Sequence, residues 1–262
     1  MQSVDILPKI ACSATVKERR KYYQHAFPHK LVKEWFVSRG IRHPVFAIDV
    51  GSKSGIYDPR HSSLLNRIIY LSDYKTWNQL RNRLAYYAPE EVYYSRNMFF
   101  NREECDSCNR ERNCFSCNNF QGQELVFDID VDNVPDNVIK CDFGAECSHD
   151  QHYCNLFRAA CTSAARLPAF LKTRFAFKKI QIVYTGRGFQ IHVFDRKACL
   201  YSISTRTAIA KIVHAAGFPV DVAVTSGSSE LARVPYTLHG LVNKVSTIVT
   251  PDEIEKSGFE PN

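Results

Sequence analysis

At 262 residues, 45% hydrophobic and 12% aromatic, the chain can bury the core of one large or two small domains. No apolar run approaches the roughly 20 residues that span a bilayer, and the opening MQSVDILPKIACSATVKERR has no apolar signal core before a small-residue cleavage site; this argues against a membrane or secreted protein and for a soluble one in the cytoplasm, or in the nucleus of a eukaryotic cell. The net charge of +7 is uneven: residues 1–100 hold sixteen Lys/Arg against eight Asp/Glu, and residues 101–262 eighteen against nineteen, which fits a polyanion gripped by the first part and processed by the second as well as it fits an ordinary solvated surface.

In chain order, Ser13–Arg39 reads as helical, TVKERRKYYQHAF and then HKLVKEWFVSRG, with Gly40 as its stop. HPVFAIDVG reads as a short strand. LSDYKTWNQLRNRLAYYAP reads as an amphipathic helix capped by Ser72 or Asp73 and ended by Pro89. EEVYYSRNMFF reads as a strand, followed by a Cys-rich insert over 101–120, an acidic strand over 124–131, a Cys/His-rich loop over 139–156, and a helix over about Cys154–Phe175 that carries Pro168. KIQIVYTGRGFQIHVFD reads as strand, tight turn and strand, because Gly186 and Gly188 separate two alternating apolar runs. STRTAIAKIVHAAG reads as a capped helix ending at Gly217, PVDVAVT as a strand, and KVSTIVT as a final strand. Helices mixed among hairpin-paired strands imply an α+β, or mixed α/β, domain over 1–262 rather than a doubly wound parallel sheet.

The segment ELVFDIDVDN, Glu124–Asn133, carries the chemistry. Residues i and i+2 of a strand share a face with Cα atoms about 6.5–7 Å apart, so Asp128 and Asp130 point together, opposite Leu125, Phe127, Ile129 and Val131. Two carboxylates so close repel each other unless a cation sits between them. Hard oxygen donors suit Mg²⁺ or Mn²⁺, and a pair of such ions catalyses in-line phosphoryl transfer. The TGRG turn offers backbone amides and Arg187, with Gln190 and His192 on one strand face beyond it, a set able to hold a triphosphate. Asp221, read as the opening of a strand, is a third acid, with Arg233, His239 and Lys244 downstream.

In order, ELVFDIDVDN, the Cys/His loop, YTGRGFQIHVFD and DVAVTSGSSELARVPYTLHG resemble the small catalytic subunit of archaeal and eukaryotic DNA primase, within the archaeo-eukaryotic primase superfamily. KERRKYYQHAF, RHPVFAIDVG and VYYSRNMFF are similar to that family's first half, so the resemblance covers nearly the whole chain. It implies a primase-type catalytic core of mixed sheets flanked by helices. Asp128, Asp130 and Asp221 would hold two Mg²⁺ or Mn²⁺ ions, and Thr185, Gly186, Arg187, Gly188, Arg233, His239 and Lys244 would surround the incoming nucleotide. The family's second motif carries His directly after the Gly-aromatic pair; here that residue is Gln190, which hydrogen-bonds without charge, and His192 two residues on is the candidate substitute. The family's helical carboxy-terminal extension is expected to be absent.

Eight of ten cysteines lie between Cys105 and Cys161, a clustering that points to metal rather than disulfides. Cys105, Cys108, Cys114 and Cys117 form CxxC-x5-CxxC, which can close a four-thiolate zinc site, while the tight five-residue separation leaves an iron–sulfur cluster or a shared site open. CDFGAECSHDQHYC offers Cys141, Cys147, His149, His152 and Cys154, where the resemblance places a structural zinc knuckle; the preferred set is Cys141, Cys147, Cys154 and His149, with His152 as the rival. Cys161 is expected in the core. Arg19, Arg20 and Lys21 with Tyr22 and Tyr23, and Arg81 and Arg83 with Tyr86 and Tyr87, mix cations with rings that could follow a phosphate backbone and stack bases.

The resemblance thus implies a nucleotidyltransferase synthesising primers on single-stranded DNA from NTPs or dNTPs, with one or two structural zinc ions and a primase large subunit as partner. The alternatives are a primase-polymerase extending primers with dNTPs, a catalytically weak zinc-containing nucleic-acid-binding module, and a generic nuclease, which fits the acids but not the nucleotide-binding turn.

Overall fold

The computed structural model describes residues 13–100, 117–135 and 149–256, without the side chains of 149–154. In chain order its elements are α1 (Val16–Lys21), α2 (His29–Val37), β1 (Phe46–Asp49), β2 (Ile69–Leu71), α3 (Trp77–Tyr87), β3 (Glu91–Ser95), β4 (Asn97–Phe99), β5 (Phe120–Gln123), β6 (Leu125–Asp130), α4 (His149–Phe175), β7 (Ile180–Tyr184), β8 (Gly188–Val193), α5 (Arg196–Cys199), α6 (Ile203–Ala215), α7 (Val222–Ser226), β9 (Leu231–Arg233), β10 (Leu238–His239), β11 (Lys244–Val245), β12 (Thr247–Val249) and α8 (Pro251–Lys256). Helices and antiparallel strands alternate as an α+β fold. No helix among the described residues is long and apolar enough to cross a membrane. The described residues form two compact units: 13–95, 183–187 and 231–249, and 96–100, 117–135, 149–182, 188–230 and 250–256.

The first unit is built on an antiparallel sheet in the order β2-β1-β3-β9. Its core is aromatic. Phe36 of α2 lies edge-on to Phe46 at 5.6 Å and to Tyr94 at 5.1 Å, and all three are fully buried; such pairs contribute about 0.5–1.5 kcal/mol each beyond the area they bury. The two helical stretches expected over 13–39 are α1, continued by a π-helical turn at Tyr22–Ala26, and α2; they part where Phe27 turns extended and Pro28 caps α2. The cap of α3 is Thr76, not Ser72 or Asp73: Thr76 and Gln79 satisfy each other's backbone amides as a capping box. EEVYYSRNMFF is two strands, β3 and β4, joined at Arg96.

In the second unit β6 and β8 pair antiparallel in one unbroken register, Leu125 opposite Val193 through Asp130 opposite Gly188. Leu125, Phe127 and Ile129, with Phe189, Ile191 and Val193 across the ladder, are fully buried on one face. That face lies under α4, whose Phe157 stacks on Phe189 at 6.0 Å. Cys161 of α4 is buried, as expected, and burial pushes its thiol up to about 12. The residues 219–225, read as a strand from their alternation, instead enter helix α7, which packs on β6 and α6. The helix α4 begins at His149, so His149, His152 and Cys154 are helical residues rather than loop residues.

Candidate active site

The alternation of β6 sends its apolar residues under α4 and leaves Glu124, Val126, Asp128 and Asp130 to the opposite face, with Gly188, Gln190 and His192 of β8 beside them. Asp128 and Asp130 are each partly exposed. Gln190 is the cross-strand partner of Asp128, and its Nε2 donates to Asp128 Oδ1 at 2.9 Å. Gly188, opposite Asp130, has no room for a side chain: a Cβ there would sit 2.2 Å from Ile129 O and 2.8 Å from Asp130 Cα. The ladder therefore brings the backbone against the acidic strand at the position of the second carboxylate.

Polar groups buried beneath the amino end of β6 hold this strand pair. Glu124 is 4% exposed and His192 0%, and Glu124 Oε1 lies 2.7 Å from His192 Nδ1. Arg96 and Arg206, both fully buried, converge on the same corner: Arg96 Nη1 donates to Glu124 O at 3.2 Å, Arg206 Nη1 to the same oxygen at 3.4 Å, and Arg206 Nη2 to Gln123 O. Burial lowers the Arg206 guanidinium to about 10, still charged at neutral pH. His192, expected beside phosphate, is thus committed inside the fold, because a ring with no exposed surface and a carboxylate at its Nδ1 has no face to offer a ligand.

Asp221 is the cap of α7 rather than the start of a strand. Its Oδ1 accepts from Ala223 N at 2.7 Å and Val224 N at 3.1 Å, while its own backbone N–H donates to Asp128 O at 2.9 Å. The backbones of two predicted acids are therefore joined directly. The donor set of the β6 face suits a hard divalent ion, since Mg²⁺ is commonly held by one or two carboxylates with water and phosphate oxygens completing the shell. Among the described residues no three Asp, Glu, His or Cys side chains gather as a ligand group, so that fit rests on Asp128 and Asp130 with Asp221 adjacent through its main chain.

The basic residues named from the sequence lie in the first unit, around an acid that the sequence reading missed. Glu91 of β3, 1% exposed, lies 3.2 Å from Arg233 Nη2, 3.2 Å from Lys53 Nζ and 3.8 Å from His239 Nε2. Arg233 also lies over the Tyr93 ring at 5.1 Å. His239 pairs with Lys244 across β10 and β11. Burial, then the neighbouring Arg233, Arg187 and Lys53, holds the His239 imidazole well below its ordinary value, so it is neutral at pH 7. The turn Thr185–Arg187 approaches this group: Gly186, at φ +104°, has His239 Cβ and Val242 Cγ2 each 3.1 Å from where its own Cβ would be. Thr185 is buried and Arg187 half-buried.

Lys53 owes its place to another missed acid. Glu90, wholly buried, accepts from Ser54 N at 3.1 and 3.2 Å and from Ser54 Oγ at 2.7 Å, and Asp49 Oδ1 accepts from Gly51 N and Ser52 N at 2.8 Å each. The loop GSKSG is fixed from below at both ends. Adjacent acids opening an apolar strand after Pro89, and a lysine between glycines, were the available signals, since a carboxylate in such a run must find partners.

The zinc candidates Cys105, Cys108, Cys114, Cys141 and Cys147 lie outside the described residues, as do the side chains of His149, His152 and Cys154. Cys117 is described and half-buried.

No family model matches the chain. It is 32% identical over 97% of its length to an uncharacterized DNA primase small subunit-like protein of Archaeoglobus fulgidus, covering 90% of that protein. It is 26% identical to the DNA primase small subunit PriS of Thermococcus kodakarensis and 25% identical to that of Methanobrevibacter smithii, over 80% and 79% of this chain, and spans about half of each, 52% and 53%. Its fold is similar to the polymerase domain of ligase D from Mycobacterium tuberculosis, solved in complex with DNA, with a TM-score of 0.51 at 15% identity over 96% of this chain and 89% of that one.

Proposed function

The chain belongs to the DNA primase small subunit-like family, and from that premise we propose that it is a nucleotidyltransferase that starts primers on single-stranded DNA. The observation that carries this reading is the polar face of β6 and β8, where Asp128 and Asp130 project together and Gln190 donates to the first of them. Mg²⁺ or Mn²⁺ ions, when bound there, would activate the attacking hydroxyl and stabilise the leaving pyrophosphate. Asp128 and Asp130 supply the anionic oxygens for that binding, Gln190 fixes the orientation of Asp128, and Asp221 holds α7 against the main chain of β6. Within the first unit, Arg187, Arg233 and Lys244, joined by Lys53, offer positive charge of the kind that phosphates need, and neutral His239 offers a hydrogen bond. Such chemistry depends on positioning and charge. By the same reading the protein works with a primase large subunit, and the two cysteine clusters hold structural zinc.

The test is incorporation of labelled nucleotides on an oligonucleotide template. Asp128→Asn and Asp130→Asn should each reduce it by at least about a hundredfold, the scale of losing one preorganised electrostatic group. Incorporation by both variants within about threefold of wild type would overturn the assignment. Running NTPs and dNTPs in parallel, with and without a primer, separates primer synthesis from primer extension. Template binding with no incorporation by wild type in any arm would identify a binding module instead.

A further inference from the structure

Helix α3 and the end strand β2 enclose a cleft of about 530 Å³ built from residues that the site above does not use. Tyr70, Tyr86 and Tyr87 line it with Asn82 and Arg83. β2 pairs with β1 on one side and ends the sheet on the other. Tyr86 is 53% exposed, yet its ring is braced. Buried His61 meets it edge-on at 4.9 Å, Tyr87 meets it at 5.1 Å, and the Arg60 guanidinium lies 5.6 Å from its centroid. The backbone holds the brace too, with His61 Nε2 3.3 Å from Tyr86 O.

Arg83 and Asp73 are the charged residues of the lining, and the stretch of chain that carries the cleft is net basic. Residues 58–87 hold five Lys/Arg against two Asp/Glu. Asp58 is shared by Arg60 and Arg20, and the hydrogen bond from Arg60 chiefly holds its carboxyl well below the ordinary range, so it stays an anion that fixes both arginines. Asp73 fixes Arg83 with both oxygens, Nη2 to Oδ2 at 2.9 Å. Arg67, just ahead of β2, is exposed. A ring held rigid and open beside oriented guanidinium groups suits a nucleobase with its phosphates, because every base has a face to stack and every nucleotide a charge to neutralise.

We propose that this cleft binds single-stranded nucleic acid, with a base on Tyr86 and the flanking phosphates on Arg60, Arg67 and Arg83. It rests on the reading of the protein as one that acts on single-stranded DNA, and it adds the place where the strand is gripped. The competing occupant is an extended peptide added to the open edge of β2; the combination of tyrosines with an excess of arginine favours the nucleic acid.

The experiment is fluorescence anisotropy of a labelled oligothymidylate titrated with the full chain. Tyr86→Ala should weaken binding about 5- to 100-fold, the range of one lost base stack, and Tyr86→Phe should stay within about twofold of wild type. Arg60→Gln should reduce the slope of log affinity against log salt by about 0.7, one single-strand phosphate contact. Wild-type affinity in Tyr86→Ala, or an unchanged salt slope in Arg60→Gln, would overturn the cleft, and would leave the functional reading standing if wild type still incorporates nucleotides. If wild type neither binds the oligonucleotide nor incorporates nucleotides, the reading itself has failed and the cleft with it. Should Tyr86→Ala misfold, the salt slope of Arg60→Gln decides alone.

Discussion

The amide of Gln190 stands where the family's second motif carries an imidazole, and its partner defines its use. An amide donates to Asp128 at 2.9 Å at any pH, whereas an imidazole would change its charge near pH 6.5. Gln190→Leu removes a hydrogen bond to a charged group, about 1.5–3 kcal/mol, so kcat/KM for nucleotide incorporation should fall about 10- to 100-fold, with Mn²⁺ affinity reduced in parallel. Gln190→His should keep activity at pH 7.5 and acquire a pH dependence between about pH 6 and 7 that wild type lacks at this position. That Asp128 and Asp130 share one face was legible because residues two apart in a strand point to the same side of the sheet. Glu91 was not: its meaning comes from Arg233, Lys53 and His239, which are remote in the chain and local only after folding. The Glu124–His192 pair was hidden for the same reason, and a histidine two places from a motif position reads as a ligand until its burial is known.

Among the elements, the β6–β8 ladder has the least tolerance. Gly188→Ala would drive a methyl group into the carbonyl of Ile129, and overpacking of this kind costs about 1–3 kcal/mol or more; its denaturant midpoint should fall accordingly, with the m-value unchanged. Glu124→Ala removes the carboxylate at Nδ1 of the buried His192 but keeps the main-chain oxygen that Arg96 and Arg206 share; leaving a buried polar group unpartnered costs about 1–3 kcal/mol, a loss that equilibrium unfolding would register directly. The strand and hairpin readings of 124–131 and 180–193 hold because their alternation and glycines agree with the tertiary contacts. Residues 219–225 alternate as well, yet they coil: Asp221 caps two amides, Gly227 closes the turn at φ +100°, and packing on β6 and α6 outweighs the strand preference of valine. Asp221→Ala should cost about 0.5–2 kcal/mol through the lost cap alone, a stability change that can be measured apart from any effect on incorporation.

For the molecule as a whole, acid stability should depend visibly on His239. Its folded value is depressed, chiefly by burial. The unfolded chain therefore binds a proton below about pH 6.5 that the native state refuses. Stability is complete above that pH and declines as the pH falls from 6.5 towards the folded value. His239→Gln should flatten the fall in denaturant midpoint between pH 7 and pH 5; an equal fall in both proteins would contradict this. The α+β class was readable from the mixture of periodicities, whereas the division into two units was not, because neither is one run of sequence. Tyr93 of β3 takes Arg233 of β9 as its partner, roughly half the chain later. A ribosome adding about 5–20 residues per second must therefore work for several seconds with the flank of β3 bare. Stalled translation before codon 233 should release nascent chains with an unmatched, sticky border, so yield in cells should respond to chaperone supply and to synonymous changes between these codons even when the finished polypeptide is identical.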